Sequence, residues 1–385
     1  MQNLKILQIG ECWLTERSGG LNRYFCDLLN YLQIYTDNLK GMILGNPNKL
    51  PCKDSRLEFF EMPQSSILSR FFNSRKTFVK ITKKQNFDLI VSHFCLYTFP
   101  FIDLIKNKPF IVHFHGPFAY ESEVESKNIL SNKIKYFIEK SIYSKSKKFI
   151  VLSQAFKNLL IENYNIPEKY IEIIPGGVNT DKFMVAISKD KAREKFNIPE
   201  GKFVITCVRR LVKRMGLENL INAISIIKEK NPEIMLLIAG KGPIYNDLQE
   251  MIRKLNLQGN VKLLGFVPDE DLPFLYRSAD FSIVPTTALE GFGLIVLESL
   301  ASGTPVMVTP VGGLPEVIRD FSPELILNDC TVNSLVEGIT SVLNCKIKLP
   351  DKESCIDFVK NNYDWSIITK RIYNLYKDYT ENFYS

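Results

Sequence analysis

Short, uninterrupted apolar runs recur along the first half of the chain: "LKILQIG" from Leu4, "GMILG" from Gly41, "FDLIVSHF" from Phe87, "PFIVHFHG" from Pro109 and "KKFIVLS" from Lys147. None alternates with polar residues. Strands buried on both faces read this way, which predicts a parallel sheet covered by helices. Between the runs lie amphipathic stretches. "SGGLNRYFCDLLNYLQ" predicts a glycine turn opening a helix with Leu21, Phe25, Leu28 and Leu29 on one face. A second series follows: "KFVITCVRR", "EIMLLIAG", "VKLLGF", "FSIVPT", "TPVMVTP" and "ELILN", separated by helical stretches such as "GLENLINAISIIKEK" and "YNDLQEMIRKLNL". Between the series, "IPGGVNTDKFMVAISKDKAREKF" (174–196) reads as a turn and a polar connector. The pattern therefore predicts an α/β protein of two Rossmann-like, doubly wound domains facing across a cleft. The N-terminal domain covers 1–178 and the C-terminal domain 179–363, with a helix over 364–385 packing back on the first. Ligands of such sheets bind at the carboxyl ends of the strands, where the strand order reverses.

Two amphipathic segments stand apart. "KNILSNKIKYFIEKSIYSKSKK" (127–148) predicts a basic amphipathic helix, either a solvated face or a membrane-surface element. "YDWSIITKRIYNLYKDY" (363–379) predicts a helix that packs. Composition adds bounds. The 385 residues are 45% hydrophobic and 24% charged, as in ordinary globular chains. The net charge of +7 is too weak to imply nucleic acid; it suits an anionic ligand or an anionic membrane surface. The eight cysteines form no CxxC pair and read as reduced, mostly buried thiols. "MQNLKILQIGE" has no long apolar leader core, and no run of about 18 apolar residues occurs. These features predict a cytoplasmic location, with or without attachment to the cytoplasmic face of a membrane.

The stretch "ALEGFGLIVLESLASGTPV" (288–306) carries the chemistry. After the strand "FSIVPT", Glu290 falls in a loop and Glu298 in the second turn of the following helix. Helical side chains lean toward the N-terminus, so Glu298 reaches back toward the loop mouth. Gly291 and Gly293 leave backbone N–H groups at a helix start, a place that attracts phosphate. Two carboxylates flanking it suit hydroxyl-rich groups on either side of a diphosphate. The alternative is that the glutamates cap N–H groups or pair with arginines. Elsewhere, Gly19 and Gly20 permit close backbone approach at a strand–helix turn, a weak signal alone. His113 and His115 share one side of a strand; as a metal pair they lack a third ligand close in sequence, and no metal site is assigned.

This stretch resembles the E-x7-E signature of retaining glycosyltransferases with the GT-B fold, family 4 (glycosyltransferase group 1). "VRRLVKRMGLENLINA", "IAGKGP", "LLGFVPDEDLPFLYRSADFSIVPT" and "IIPGGVNTDKF" resemble further family elements in the same order. "SGGLNRY", "HFHGPFA" and "VLSQAFK" match more loosely. The resemblance implies a nucleotide-sugar donor, UDP- or GDP-linked, no separate cofactor, and an acceptor hydroxyl on a glycan, lipid-linked sugar or small molecule. It implies that Glu290 meets donor-sugar hydroxyls. Gly291, Phe292 and Gly293 would offer backbone, Leu294 and Ile295 helix-start N–H groups, Glu298 a ribose contact and Arg210 a diphosphate contact. Gly265, Phe266 and Val267 fall in the nucleobase-side loop, and His115 near the donor sugar. The family's lysine falls at Met215, a departure for which Arg214, beside Lys213, is the expected substitute. A sugar-nucleotide epimerase, a phosphorylase of the same fold and a catalytically inactive nucleotide-sugar-binding or assembly protein are the other readings; Met215 is the support for the last.

Overall fold

The computed structural model of the protein describes residues 4–17, 19–49, 54–120 and 129–384. The chain divides into two compact units, Met1–Gly177 with Trp365–Ser385, and Val178–Asp364.

The first unit is built on seven parallel strands: β1 (Ile6–Cys12), β2 (Leu39–Leu44), β3 (Leu57–Glu61), β4 (Leu89–Ser92), β5 (Phe110–Phe114), β6 (Phe149–Val151) and β7 (Ile171–Ile173). Their order is β3-β2-β1-β4-β5-β6-β7. Every pairing is parallel. The central strands β4 and β5 are buried throughout, as uninterrupted apolar runs require. β3 and β7 lie outside the sequence expectation. Both are short, half-exposed edge strands whose patterns, "LEFFE" and "IEI", lack a continuous apolar run.

The chain moves one way along the sheet from β1 to β3 and the other way from β4 to β7. Right-handed crossovers then place α1 (Gly20–Leu32) on one face. They place α2 (Ile67–Lys84), α3 (Ile129–Tyr143) and α4 (Gln154–Tyr164) on the other. The predicted basic helix is realised as α3, which ends at Tyr143 and not at Lys148; Lys127 and Asn128 lie outside the described residues.

The second unit holds β8 (Phe203–Val208), β9 (Ile234–Ala239), β10 (Val261–Gly265), β11 (Phe281–Val284) and β12 (Val306–Val308), in the order β10-β9-β8-β11-β12, again all parallel. α5 (Leu217–Ile227), α6 (Tyr245–Lys254), α7 (Leu272–Ser278), α8 (Leu294–Ala301), α9 (Val332–Leu343) and α10 (Lys352–Asn362) cover it. The predicted strand "ELILN" is instead a 3-10 turn, Pro323–Leu325, followed by a single bridge from Ile326 to Val308. The 3-10 turn takes up Glu324 and Leu325, which leaves Ile326 alone in bridge register.

The last helix, α11 (Trp365–Tyr384), returns to the first unit and runs along α1. Trp365 is fully buried there. Its indole N–H donates to Asp27 at 3.3 Å, and its ring meets Tyr24 edge-on at 5.1 Å. Gly177 packs so tightly on it that an added Cβ would come within 2.5 Å of the indole. We expect Trp365→Ala to destabilise the first unit by about 3–5 kcal/mol, the usual cost of emptying a large aromatic site. Urea unfolding followed by tryptophan-independent circular dichroism checks this. A shift under about 0.5 kcal/mol, typical of surface positions, would show that α11 is peripheral.

Candidate functional site

In the second unit the strand order reverses between β8 and β11, and the loops leaving these two strands carry the chemistry. Arg209 follows β8. Its Nη2 donates to the Glu290 carboxylate and to Thr286 Oγ1 at 2.5 Å, and it lies against the Met215 sulfur. Thr286 Oγ1 donates to the same carboxylate oxygen at 3.3 Å. The ion pair is shielded from water, with 7% of the Arg209 side chain and 14% of Glu290 exposed. The buried Arg209 Nε–H has no hydrogen-bond partner among the described residues. A buried donor left unmade costs about 1–3 kcal/mol, so this face of the guanidinium favours an acceptor.

The Glu290 loop is held from two sides. Arg214 is buried, and its Nη1 donates to the Leu289 carbonyl at 2.8 Å. The Arg214 carbonyl in turn accepts the Thr287 N–H at 2.9 Å. Leu289 sits at φ 54°, a left-handed conformation unfavourable for a bulky residue and sustained only where the surroundings impose it. On the other side, the Gly313 N–H donates to the Glu290 carbonyl at 3.0 Å. Gly312, at φ 56°, must be glycine: a Cβ there would stand 1.8 Å from the same carbonyl.

α8 begins at Gly293 with no side-chain cap, so its first N–H groups are not met by a capping side chain. Gly291, Leu294 and Ile295 are half-buried, and the Phe292 ring is buried near Tyr363. Glu298 is buried and accepts a hydrogen bond from the Tyr276 hydroxyl at 3.2 Å. At the end of β10, Gly265, Phe266 and Val267 form a separate edge. Phe266 is exposed, with the Lys241 ammonium 4.6 Å from its ring centroid. Arg210 and Lys213 are exposed. Among the four basic residues of this loop, the structure brings Arg209 to Glu290, and it places Arg214, the expected lysine substitute, behind the loop as a brace.

In the first unit the order reverses between β1 and β4. Ser18 lies outside the described residues. An added Cβ at Gly19 or Gly20 would meet nothing within 4 Å, so the start of α1 is open. Asn22 bonds the Glu11 carboxylate at 3.2 Å, which also pairs with Arg17 at 2.5 Å.

β4 and β5 bring His93, His113 and His115 together, with ligand-capable ring nitrogens within 4.8 Å of one another. The third histidine that sequence spacing did not reveal is therefore His93, from the neighbouring strand. These nitrogens are engaged in a directed network. The Gln8 side-chain carbonyl accepts from His93 Nε2–H, and the Gln8 amide reaches the Tyr376 hydroxyl at 3.5 Å. Tyr376 bonds His113 Nε2 at 2.6 Å, and His113 Nδ1 meets Tyr24 at 3.3 Å. Burial pushes all three imidazoles below their ordinary range, His115 to about 3, so they are neutral. With Nε2 of His93 protonated, its Nδ1 must accept, and His115 Nε2–H donates to it at 3.0 Å. The pattern assigns His115 a free lone pair on Nδ1.

The loop after His115 rests on a buried carboxylate. Glu139 accepts the Phe118 and Ala119 N–H groups at 2.8 and 3.3 Å and the Tyr164 hydroxyl at 2.7 Å. Burial raises its pKa to about 7 despite these bonds.

Sequence reading missed Arg209, Tyr276, Gln8, Tyr24 and Tyr376. For Arg209 a signal existed: it neighbours Arg210 at a strand end, where successive side chains point oppositely.

Two family models match the chain: "Glycosyl transferases group 1" over residues 188–365 and "Glycosyltransferase Family 4" over 18–182. The chain belongs to the group 1, family 4 glycosyltransferases, and it has their two-domain GT-B fold. An uncharacterized glycosyltransferase of Methanocaldococcus jannaschii is 31% identical over 235 residues, 59% of each chain. The mannosylfructose-phosphate synthase of Agrobacterium fabrum is 34% identical over 183 residues, 45% of this chain and 40% of that one. The chain thus spans about half the length of these relatives. Among solved structures, sucrose-phosphate synthase from Thermosynechococcus elongatus superposes with a TM-score of 0.80 at 20% identity, covering 97% of this chain and 98% of that one. Anabaena HepE in complex with UDP-glucose gives 0.79 at 18% identity, covering 97% and 100%.

The buried groups set a pH dependence with two signs. Histidines held neutral stabilise the fold fully above their unfolded pKa of about 6.5, and this is lost as pH falls. Glu139, raised to about 7, contributes most below its unfolded pKa of about 4.3 and loses this as pH rises through 7. Urea midpoints between pH 5 and 6.5 are expected to rise less steeply in His113→Asn and more steeply in Glu139→Gln. Parallel curves for wild type and both variants would contradict the buried-group account.

Proposed function

We propose that the protein transfers a sugar from a nucleotide diphosphate donor to an acceptor hydroxyl, with retention of anomeric configuration, in polysaccharide, glycolipid or glycoside biosynthesis. The observation that carries this is the Arg209–Glu290–Thr286 constellation at the reversal of strand order, with one buried guanidinium N–H unmet. Arg209 stands beside Met215, so the positive charge that the family carries at that position comes here from the neighbouring chain segment. The donor diphosphate lies against Arg209, Arg210 and the uncapped start of α8, with Lys213 contributing to the local positive field. Glu290 accepts sugar hydroxyls and Glu298 the ribose, Tyr276 fixing the latter's carboxylate. Phe266, flat and exposed, offers a surface for the base. His115 Nδ1, in the first unit, is left able to accept a hydrogen bond from a hydroxyl.

In the reaction the bond from the anomeric carbon to the β-phosphate oxygen breaks and a bond to the acceptor oxygen forms on the same face. The acceptor proton passes to the departing phosphate. Positive groups take up the growing charge on that phosphate, and no protein nucleophile is required. HepE is described in complex with UDP-glucose. A Mycolicibacterium smegmatis relative, 29% identical over 184 residues, is described as GDP-mannose-dependent. These names support a UDP- or GDP-linked sugar as the donor class. The acceptor is a glycan, a lipid-linked sugar or a small molecule met on the cytoplasmic side of a membrane.

A thermal-shift screen of nucleotide sugars tests donor binding, since a ligand of the native state raises the melting temperature. Proton NMR of the first-formed glycoside then reports the anomer. Retention and insensitivity to EDTA are expected; an inverted product, or activity abolished by EDTA and restored by magnesium, would overturn the scheme.

Arg209→Leu is expected to lower kcat about a hundredfold, the usual loss of one oxyanion-stabilising donor, and to lower stability as well, because it leaves the Glu290 carboxylate unpaired. Arg214→Leu is expected to lower stability and raise KM through the loosened Leu289–Glu290 turn. Glu298→Gln is expected to raise KM with kcat near normal, because a ribose contact is nearly equal in ground and transition states. Steady-state kinetics separates the three. Equal kcat losses in Arg209→Leu and Arg214→Leu would refute the division of labour.

A further inference from the structure

We propose that Gln8 is a positioning residue for His115: acting through His93, it selects which ring nitrogen of His115 carries the proton. The choice leaves His115 Nδ1 an acceptor, which suits a hydroxyl and turns away phosphate and carboxylate oxygens. The part that this hydroxyl plays in sugar transfer rests on the function proposed above; the proton order itself does not.

Gln8 interrupts the apolar run that opens β1, and it is only 1% exposed. Its neighbours Leu7 and Ile9 join the apolar core on the opposite face of the sheet. A leucine would suit such a position, and a buried amide is costly unless its polar atoms are met. Here the two ends of one planar amide meet two different groups. The carbonyl accepts from His93 Nε2–H, and the amide nitrogen reaches the Tyr376 hydroxyl at 3.5 Å. Gln8 is thus the junction of two hydrogen-bonded branches. One runs through Tyr376 and His113 to Tyr24, and the other through His93 to His115.

A neutral imidazole has one N–H and one lone pair, so each branch conducts its hydrogen bonds in a single direction. Two orders satisfy the whole network. In the first, the Gln8 N–H donates to Tyr376, the Tyr376 O–H to His113 Nε2, and His113 Nδ1–H to Tyr24. On the other branch His93 Nε2–H donates to the Gln8 carbonyl and His115 Nε2–H to His93 Nδ1. In the second order every bond is reversed, the Gln8 amide is turned over, and His115 carries its proton on Nδ1. The Gln8 carbonyl faces His93, which selects the first order. Gln8, His93, His113, Tyr24 and Tyr376 are all buried, and His115, half-buried, is the end of the chain that a ligand can meet. Its ring is held edge-on to Tyr24 at 4.7 Å. Coordination of a metal would instead need one lone pair from each histidine at a single point. His93 Nδ1 and His115 Nε2 face each other at 3.0 Å, and both nitrogens of His113 are met by tyrosine hydroxyls.

The chain has three histidines, so the full protein labelled with ¹⁵N-histidine gives a spectrum of three rings. Long-range proton–nitrogen NMR separates protonated from bare ring nitrogens and Nδ1 from Nε2, and His115→Asn assigns His115 by the loss of its signals. In wild type near neutral pH, His93 and His115 are expected to carry the proton on Nε2 and His113 on Nδ1. Gln8→Leu removes the acceptor for His93 Nε2–H. The His93 proton should then move to Nδ1, where His115 still offers a partner, and His115 should switch to Nδ1–H. Sugar transfer should fall about tenfold, the worth of one neutral hydrogen bond. In a His115→Asn background the same change should cost nothing further, because the relay has lost its end. His115 found as Nδ1–H in wild type would overturn the proposal, and this spectrum decides even if Gln8→Leu fails to fold. So would a His115 tautomer unmoved in Gln8→Leu, or equal losses of transfer in both backgrounds, which would make Gln8 a packing residue only. One equivalent of zinc that shifts all three rings of wild type together would overturn it too, by assigning the cluster to a metal. Tautomers as expected in a protein that transfers no sugar from any nucleotide donor would leave the relay standing and remove the proposed function instead.

Discussion

The second unit is organised around a charge pair that water barely reaches. Arg209 and Glu290 come from the loops that follow two adjacent strands, separated in sequence by more than seventy residues. Removing either partner would leave a charge shielded from solvent, and that is far costlier than losing a surface pair. The rest of the site reads as the means of holding this pair. Thr286 fixes the carboxylate, Arg214 pins the Leu289 carbonyl, and Gly312 lets a third loop press against Glu290 itself. The backbone accepts a left-handed leucine because these contacts leave it little choice.

Positive charge in the loop after β8 is distributed by burial. Arg209 points to the carboxylate, Arg214 is spent on the backbone, and Arg210 and Lys213 stay in solvent. Met215 provides a soft sulfur against which the Arg209 guanidinium packs. The two residues lie six apart in sequence and in contact in space. Substituting one position without the other therefore changes both packing and charge, and the two effects couple.

Much of this was legible in the chain. Buried parallel strands announce themselves by unbroken apolar runs, and the spacing of Glu290 and Glu298 places one in a loop and the other on a helix. Edge strands β3 and β7 were not legible, because a half-solvated strand of few residues has no distinctive pattern. Nor was the grouping of His93 with His113 and His115, which exists because β4 pairs with β5 in one register. Gln8 joins them from β1, and Tyr376 from the far end of the chain. The choice between Arg209 and Arg214 rests on which side chain finds a carboxylate and which a carbonyl, a matter of loop geometry that residue type does not specify. The outward face of α3 was half legible: its amphipathicity was plain, but which side met the sheet was not.

The return of α11 to the first unit has a consequence for how the molecule is made. The core of that unit includes Trp365 and Tyr376, and its histidine network is closed by a hydroxyl more than two hundred and fifty positions after His113. Residues 178–364 emerge from the ribosome as a continuous stretch and form their own compact unit. They are free to fold while the earlier-made unit still lacks its closing helix. Synthesis order and folding order are thus partly inverted: the segment made first is completed last. Until residue 365 and its successors arrive, the nascent first unit exposes the groove along α1 that Trp365 fills. Chaperone binding, or a pause in translation near that point, would act on this groove before any other part of the fold.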